Sequence, residues 1–408
     1  MLEVILLLYI SILPFYITFA KLYFMGFPVF TWFSMGLFFI AVLSSAKTVF
    51  SAAYKRKVKD DELIILLLFF SLLLGIISSL IHGWAFTKSI TNIGTFYMPF
   101  FVCALIYKTK ISFKQIITCS SIGIIIAAFI SLLIAFGLLS SGVHTGVIAT
   151  DSIAFNYNYV DGTSGVFGMI LGVYLFLDKD NGEKVKGIVC IVSGLIIVVF
   201  AQSRGLTLAF IFALVFELFT MIHYSSGGEG IKKMLRVMFV IFAIILIVIT
   251  TNNPVKDYIL RINERLIATN INEGNISYRF NEISEYFDLF KENPFIGRGW
   301  GLINNETGSS LYTTRYRAHN MYFGILACSG LSYTPIFCLI LFIMLKRNIK
   351  RIHAERSLKF AFSATCIIAV ALLGIANAGF DNAFCITFTI VSFAVIKDYH
   401  LQTKGQFF

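Results

Sequence analysis

The chain has 408 residues, of which 58% are hydrophobic and 13% are charged. About a quarter of the residues of a soluble domain are charged, so this composition excludes a soluble globular protein. Apolar stretches longer than about 18 residues recur, and each can span a bilayer as a helix. Because they do not alternate with polar residues, a transmembrane barrel is excluded as well. The expected fold class is an all-α polytopic integral membrane protein.

The formal net charge of +11 indicates membrane topology rather than nucleic-acid binding. Lysine and arginine residues cluster in every second loop, and an excess of this kind marks cytoplasmic loops. The short loops between those clusters hold only Lys21, Lys88 and Arg204. We therefore expect both termini in the cytoplasm and the basic loops against anionic lipid.

The apolar pattern predicts about twelve transmembrane helices. The first has neither a basic start nor a small-residue cleavage site, so we interpret it as a retained helix rather than a signal peptide. The predicted helices cover residues 2–20, 27–45, 63–81, 92–107, 115–138, 162–177, 187–202, 205–222, 236–251, 319–345, 360–377 and 382–396. Glu217, on the eighth of them, is expected to be ion-paired or to snorkel to the surface.

The cysteines lie in apolar stretches without a CxxC pair, which indicates buried thiols rather than disulfides or metal ligands. No HExxH, P-loop or GxSxG motif occurs either. We therefore expect neither a metal nor another cofactor.

One long polar stretch, 252–318, separates the membrane helices 1–251 from those of 319–408. The loop alternation places it outside the cytoplasm. Apolar residues at helical spacing, among them Phe280 and Phe287, predict an amphipathic helix over 278–292 that lies on the outer membrane face. Pro294 should end this helix, and the glycines at 297, 299 and 301 should form a flexible turn.

Two arginines are candidates for binding phosphate. Arg204 follows predicted helix seven at the outer interface, where it either anchors the helix or grips an anion. Arg279 falls in the first turn of the predicted loop helix, where the helix dipole disfavours a cation. An anionic ligand would explain it, and so would pairing with Glu282 or Glu285.

Three further polar residues border the last membrane helices. His319 begins predicted helix ten and can act as a base on a hydroxyl or as a helix-start residue. Asn320 can orient that histidine or cap the helix. Asp381 lies between the last two helices, where a helix cap is the ordinary role of an aspartate; a second base or an arginine partner is the alternative.

Several short motifs, in this order, resemble the O-antigen ligase and polymerase family of bacterial envelope enzymes (the Wzy/WaaL type). They are Ser203-Arg204-Gly205 before helix eight, Tyr278-Arg279, the run KENPFIGRG at 291–299, and Ala318-His319-Asn320 before a helix that soon continues as Ser329-Gly330-Leu331. The detailed resemblance covers about residues 202–331. The region before it is similar in topology alone.

The resemblance implies a metal-independent, inverting glycosyltransferase that takes a glycan from undecaprenyl diphosphate on the outer face of the cytoplasmic membrane. Arg204 and Arg279 would hold the diphosphate, and His319 would be the general base. Membrane lipids surround such an enzyme, and a chain-length regulator is a possible partner. The further residues expected to bind substrate are Tyr278, Arg298, Trp300, Arg315, Arg317, Asn320 and Asp381.

The acceptor distinguishes two versions of this activity. A polymerase, the version that the loop motifs favour, extends another lipid-linked repeat unit of an O-antigen or capsule. A ligase transfers the glycan to lipid A–core. The competing class is a transporter, such as a flippase for the same lipid-linked sugar. Transporters typically have polar residues near mid-bilayer and repeated halves. Here the polar residues concentrate in one outer loop.

Overall fold

The structure, a computed structural model, describes most of the predicted membrane region and part of the long polar loop. The described residues are 1–15, 23–24, 27–53, 60–84, 86–135, 148–150, 153–155, 159–178, 183–201, 204–224, 232, 235, 239, 274–302, 320–376 and 383–404. The predicted helix 236–251 lies outside these ranges except for position 239.

The described part of the chain is predominantly helical. Its helices are α1 Leu2–Ile12, α2 Val29–Ala53, α3 Asp60–Ile81, α4 Phe86–Tyr107, α5 Phe113–Ala135, α6 Tyr159–Leu177, α7 Lys184–Ala201, α8 Arg204–Tyr224, α9 Gly274–Glu292, α10 Met321–Ser329, α11 Thr334–Glu355, α12 Leu358–Ala376 and α13 Ala383–Lys404. Two short antiparallel ribbons pair β1 Tyr23–Phe24 with β2 Phe27–Pro28, and β3 Ile148–Thr150 with β4 Ile153–Phe155. Short 3-10 turns follow α1 at Leu13–Phe15 and α10 at Gly330–Ser332.

Within the described ranges, three helices are long and apolar enough to cross a membrane: Leu63–Ile81, Phe113–Leu133 and Leu358–Ile375. A fourth crossing is added if the bent pair α10 and α11 is one span. Many large apolar side chains are exposed on the bundle, among them Phe70, Phe129 and Phe342, which fits a lipid-facing surface. These features support a membrane protein, and the count of twelve spans stays a prediction.

Close helix packing depends on small residues between α6 and α7. A Cβ atom on Gly172 would lie 2.7 Å from the carbonyl oxygen of Gly187, and one on Gly194 would lie 2.6 Å from that of Gly165. Both distances are too short for any side chain larger than hydrogen. Glycines at such contacts let membrane helices approach closely, as expected where lipid supplies no hydrophobic drive for association.

Lys397 and Asp398 on α13 hold the connection between α4 and α5. The ammonium group of Lys397 donates to the carbonyl oxygens of Ile106 at 2.8 Å, of Thr109, and of Ile111 at 3.2 Å. Asp398 accepts the N–H of Phe113 at 3.0 Å, at the start of α5. Only 2% of Lys397 is exposed, so this ammonium group binds the connection between α4 and α5 and does not lie at the surface.

Glu217 differs from its expected surroundings on α8. Its exposure is 0%, which excludes snorkelling, and no described residue hydrogen-bonds either carboxylate oxygen. The expectation of an ion pair is therefore wrong within the described part of the chain.

The predicted helix 319–345 is broken into α10 and α11, whose axes differ by 111°. The 3-10 turn Gly330–Ser332 forms the break, and Pro335 lies in the first turn of α11. Periodicity alone cannot reveal this break, because the residues on both sides remain apolar. The break matters because the polar loop docks onto it.

Candidate functional site

The loop helix α9 begins at Gly274 and ends at Glu292. Its end agrees with the effect expected of Pro294, but its start lies four residues before the predicted Tyr278. Arg279 therefore falls in the second turn, and the dipole argument for an anion beside it no longer applies, since that effect is confined to the first turn. The structure describes the backbone of Tyr278 and Arg279 in this helix and not their side chains.

The face of α9 that packs on the bundle is not its phenylalanine face, whose position on the outer membrane surface stays a prediction. Glu282 and Tyr286 are 4% and 6% exposed, whereas Phe280 and Phe287 are 67% and 41% exposed. Tyr286 packs with Leu302 and with Ala327 of α10. The helix thus packs on the bundle mainly through the face that contains Tyr286. Phe280 stays largely exposed, and the ring of Phe287 lies 6.4 Å from that of Phe323 on α10.

Residues 293–302, which we call the docked segment, follow α9 and enter the break between α10 and α11. Four backbone hydrogen bonds of 2.9 Å join the two: Arg298 N–H to Ala327, Gly299 N–H to Cys328, Leu331 N–H to Pro294, and Ser332 N–H to Phe295. A broken helix leaves backbone groups without partners, which is costly in a bilayer. The docked segment supplies these partners and so stabilises the break.

Glycine is required where the two backbones cross. Gly297 and Gly330 have positive φ angles of 67° and 57°, which favour glycine. A Cβ atom on Gly297 would lie 2.4 Å from the carbonyl carbon of Cys328, and one on Gly330 would lie 2.5 Å from the carbonyl oxygen of Pro294. The glycines interpreted as a flexible turn are thus tightly packed, and that interpretation is corrected.

Four residues that the sequence analysis did not single out hold the other side of the docked segment. Two lie near the end of α3, one in the turn after it and one on α4. The hydrogen bonds are Ser78 Oγ to the Gly297 carbonyl at 2.9 Å, Trp300 N–H to Ser79 Oγ at 2.9 Å, Trp84 Nε1 to the Arg298 carbonyl at 2.6 Å, and Asn92 Nδ2 to the Trp300 carbonyl at 2.6 Å. The pair of adjacent serines at the end of an apolar span is the sequence feature that could have indicated this contact.

Trp300 lies in the core of the bundle rather than at an exposed surface. Only 1% of it is exposed, and its ring centroid is 4.9 Å from that of Phe96, 5.8 Å from Tyr97 and 5.7 Å from Tyr333. Such aromatic packing makes Trp300 the anchor of the docked segment. Its predicted contact with substrate stays a prediction.

Asn320 caps α10. Its Oδ1 accepts the N–H groups of Tyr322 at 3.1 Å and Phe323 at 3.3 Å, and its Nδ2 donates to the carbonyl of Ile375 on α12 at 3.2 Å. This is the capping alternative that the sequence left open. The cap fixes the direction in which the chain enters α10, directly after position 319.

Arg298 is the predicted substrate-binding arginine whose side chain the structure describes. Its Nη2 lies 3.0 Å from Oε2 of Glu292, at the end of α9. The side chains of Arg298 and Glu292 are 32% and 55% exposed. The pair therefore lies at the surface of the docked segment, beside the core that Trp300 fills.

The remaining predicted residues can be placed only in part. Arg204 is the first residue of α8, as the motif before helix eight predicts, and its side chain is not described. His319, Arg315, Arg317 and Asp381 lie outside the described residues. The convergence of Arg204, Arg279 and His319 on one cavity stays a prediction.

Residues 189–333 match a protein-family model described as O-antigen ligase. The matched stretch begins in α7 and includes α8, α9, the docked segment and the break after α10. The match confirms the resemblance to the O-antigen ligase and polymerase family that the sequence motifs indicate. No curated protein matches the chain.

Proposed function

We propose that the chain is a membrane-embedded glycosyltransferase that polymerises O-antigen or capsular repeat units. Its substrates would be oligosaccharides linked to undecaprenyl diphosphate on the outer face of the cytoplasmic membrane. The observation that carries the proposal is the family match over 189–333, because that stretch contains every motif of the resemblance. In this proposal both termini are cytoplasmic and a chain-length regulator is a possible partner.

The proposed reaction exchanges one bond at the anomeric carbon. The acceptor hydroxyl attacks that carbon and loses its proton to His319, while the bond to the diphosphate oxygen breaks with inversion. Undecaprenyl diphosphate leaves with the electron pair, and the guanidinium groups of Arg204 and Arg279 stabilise its negative charge. No metal is needed, since the arginines supply the positive charge.

The docked segment supports this proposal because it joins the elements that bear two of these residues. Arg279 lies on α9, and α9 leads directly into the docked segment. The docked segment is hydrogen-bonded to α10, whose N-terminal cap Asn320 follows His319. A base and a phosphate ligand that share one rigid support keep their geometry during the reaction, which is what preorganised catalysis requires.

Charged and aromatic residues of the loop complete the proposed site. Arg298, Arg315 and Arg317 would contact anionic or hydroxyl groups of the glycan. Tyr278 would contribute to a sugar-binding wall, the buried Trp300 would hold the docked segment in place beneath it, and Asn320 and Asp381 would bind hydroxyls or orient the base. The exposed apolar surface of the bundle provides the lipid contact that a polyprenyl tail needs.

The glycan profile of a strain that lacks the gene tests this function. The strain is complemented with the wild-type gene or with His319→Ala. A polymerase predicts that both the deletion and His319→Ala lose the long ladder, while a single repeat unit stays attached to its acceptor. A normal profile with His319→Ala would contradict the proposed base and favour the flippase alternative.

A ligase is the second candidate, favoured by the description of the matching family as O-antigen ligase. A ligase transfers a finished glycan to lipid A–core. Its loss would remove every attached repeat unit and lead long lipid-linked chains to accumulate. The same profile therefore distinguishes the two activities by which intermediate accumulates.

A further inference from the structure

Arg298 has more hydrogen-bonding capacity than its surroundings use. A guanidinium group carries five N–H donors, and Glu292 is its one acceptor within the described ranges. The Nε atom is buried without a hydrogen-bond partner there. The outer part of the side chain remains accessible, since 32% of the side chain is exposed.

The ion pair with Glu292 is easily replaced. Both partners are partly exposed, and exposed ion pairs contribute little because water and salt screen them. The neighbouring charges are already paired with each other, since Lys291 lies 2.9 Å from Asp288. Asp288 therefore does not compete with Glu292 for Arg298, and Lys291 does not compete with Arg298 for Glu292.

The backbone under Arg298 is unusually well held. Its N–H donates to Ala327 and its carbonyl accepts from Trp84. The carbonyl of the preceding Gly297 accepts a hydrogen bond from Ser78, and the N–H of the following Gly299 donates to the carbonyl of Cys328. A guanidinium on such a rigid turn loses little backbone entropy when it binds an anion, which favours a specific site over a mobile surface charge.

We propose that Arg298 is a recognition site for a phosphate or carboxylate group of the substrate, and that Glu292 occupies this site in the ligand-free protein. The inference rests on the proposed function and deepens it, because it names the ligand group of Arg298 and the residue that holds the site when no ligand is bound. Two sources supply the anion: the diphosphate of the lipid carrier, or an acidic sugar of the repeat unit. In both cases the planar fork of arginine pairs with two oxygens of the ligand.

Binding measurements on the full chain, reconstituted in neutral phosphatidylcholine vesicles, test this site. The probes are farnesyl diphosphate and a glucuronate-containing tetrasaccharide, each titrated calorimetrically. Glu292→Gln removes the competing carboxylate and should tighten the binding of at least one probe by about two- to five-fold, which corresponds to roughly 0.4–1 kcal/mol. Arg298→Gln should abolish this gain when both substitutions are combined.

Asp288→Asn in a Lys291→Met background, compared with Lys291→Met alone, is the matched control, because no lysine is then released to pair with Glu292. It removes a carboxylate one turn before Glu292 on the same helix without contact to Arg298, so it should leave both affinities unchanged. A gain with farnesyl diphosphate alone identifies the carrier as the source, and a gain with the tetrasaccharide alone identifies an acidic sugar. Unchanged binding of both probes in Glu292→Gln, or an equal gain in Asp288→Asn, would overturn the proposal.

Failure of this site and failure of the proposed function give different results. Loss of the glycan ladder in His319→Ala together with unaltered probe binding in Glu292→Gln would refute the Arg298 site alone. A normal ladder in His319→Ala would refute the proposed transferase mechanism, whatever the binding data show.

Discussion

Replacing Gly330 by alanine should detach the docked segment from the helix break. Gly330 has φ 57° and ψ −145°, close to a region that is essentially restricted to glycine and costs other residues about 1–3 kcal/mol. The new Cβ would lie 2.5 Å from the Pro294 carbonyl oxygen and 2.7 Å from the Gly297 nitrogen. Relief of that overlap must separate the two backbones.

The separation breaks the hydrogen bonds from Leu331 to Pro294 and from Ser332 to Phe295. Each lost hydrogen bond costs about 0.5–1.5 kcal/mol net, so the two together cost about 1–3 kcal/mol. Together with the backbone strain, we expect Gly330→Ala to lower the free energy of unfolding by about 2–6 kcal/mol. The apparent melting temperature of the purified protein in detergent measures the loss, and protease cleavage within 293–302 reports detachment.

Gly83→Ala provides the matched control. Gly83 also has a positive φ, of 70°, but a Cβ atom there would meet nothing within 4 Å. This substitution therefore imposes backbone strain of about 1–2 kcal/mol without overlap. If Gly330→Ala destabilises no more than Gly83→Ala and leaves the docked segment protease-resistant, the reasoning about the backbone crossing is refuted.

Three further substitutions test separate parts of the structure. Lys397→Met should lower the free energy of unfolding by about 2–5 kcal/mol, because the carbonyls at the end of α4 and in the loop after it lose their charged donor. Thermal melting measures the change, with the exposed Lys110→Met in the same loop as control. Equal destabilisation by the two substitutions would contradict the role of Lys397. Asn320→Ala should lower the free energy of unfolding by about 1 kcal/mol because α10 loses its N-cap. Asn320→Asp should stay stable because it keeps the accepting oxygen. If Asn320→Asp retains stability but loses polymer synthesis, Asn320 acts on substrate as well as capping α10. Arg279→Lys should abolish polymer synthesis although the protein still inserts into the membrane, because lysine lacks the planar fork of arginine. A fully active variant would show that Arg279 does not need to bind phosphate through two nitrogen atoms.

The class of the protein and the position of its candidate site follow from local sequence. Long apolar stretches in a chain with few charges require helices in lipid, because backbone groups must be satisfied within each segment. Pro294 ends the loop helix because a proline restricts the residue before it. The order of short motifs from Ser203 to Leu331 indicates a resemblance to the O-antigen ligase and polymerase family, and the match over 189–333 confirms that resemblance.

The helix break, the packed face of α9 and the close packing of the glycines became visible only in the tertiary structure. The 111° break after α10 is invisible in an apolar pattern, because a bend changes no residue type. The packed face of α9 contains Tyr286 rather than Phe287, since that face depends on the partner helix and not on hydrophobicity alone. Likewise, glycines predicted to be flexible are packed because the docked segment needs close backbone approach, and such proximity arises only once α3, α10 and the loop are assembled.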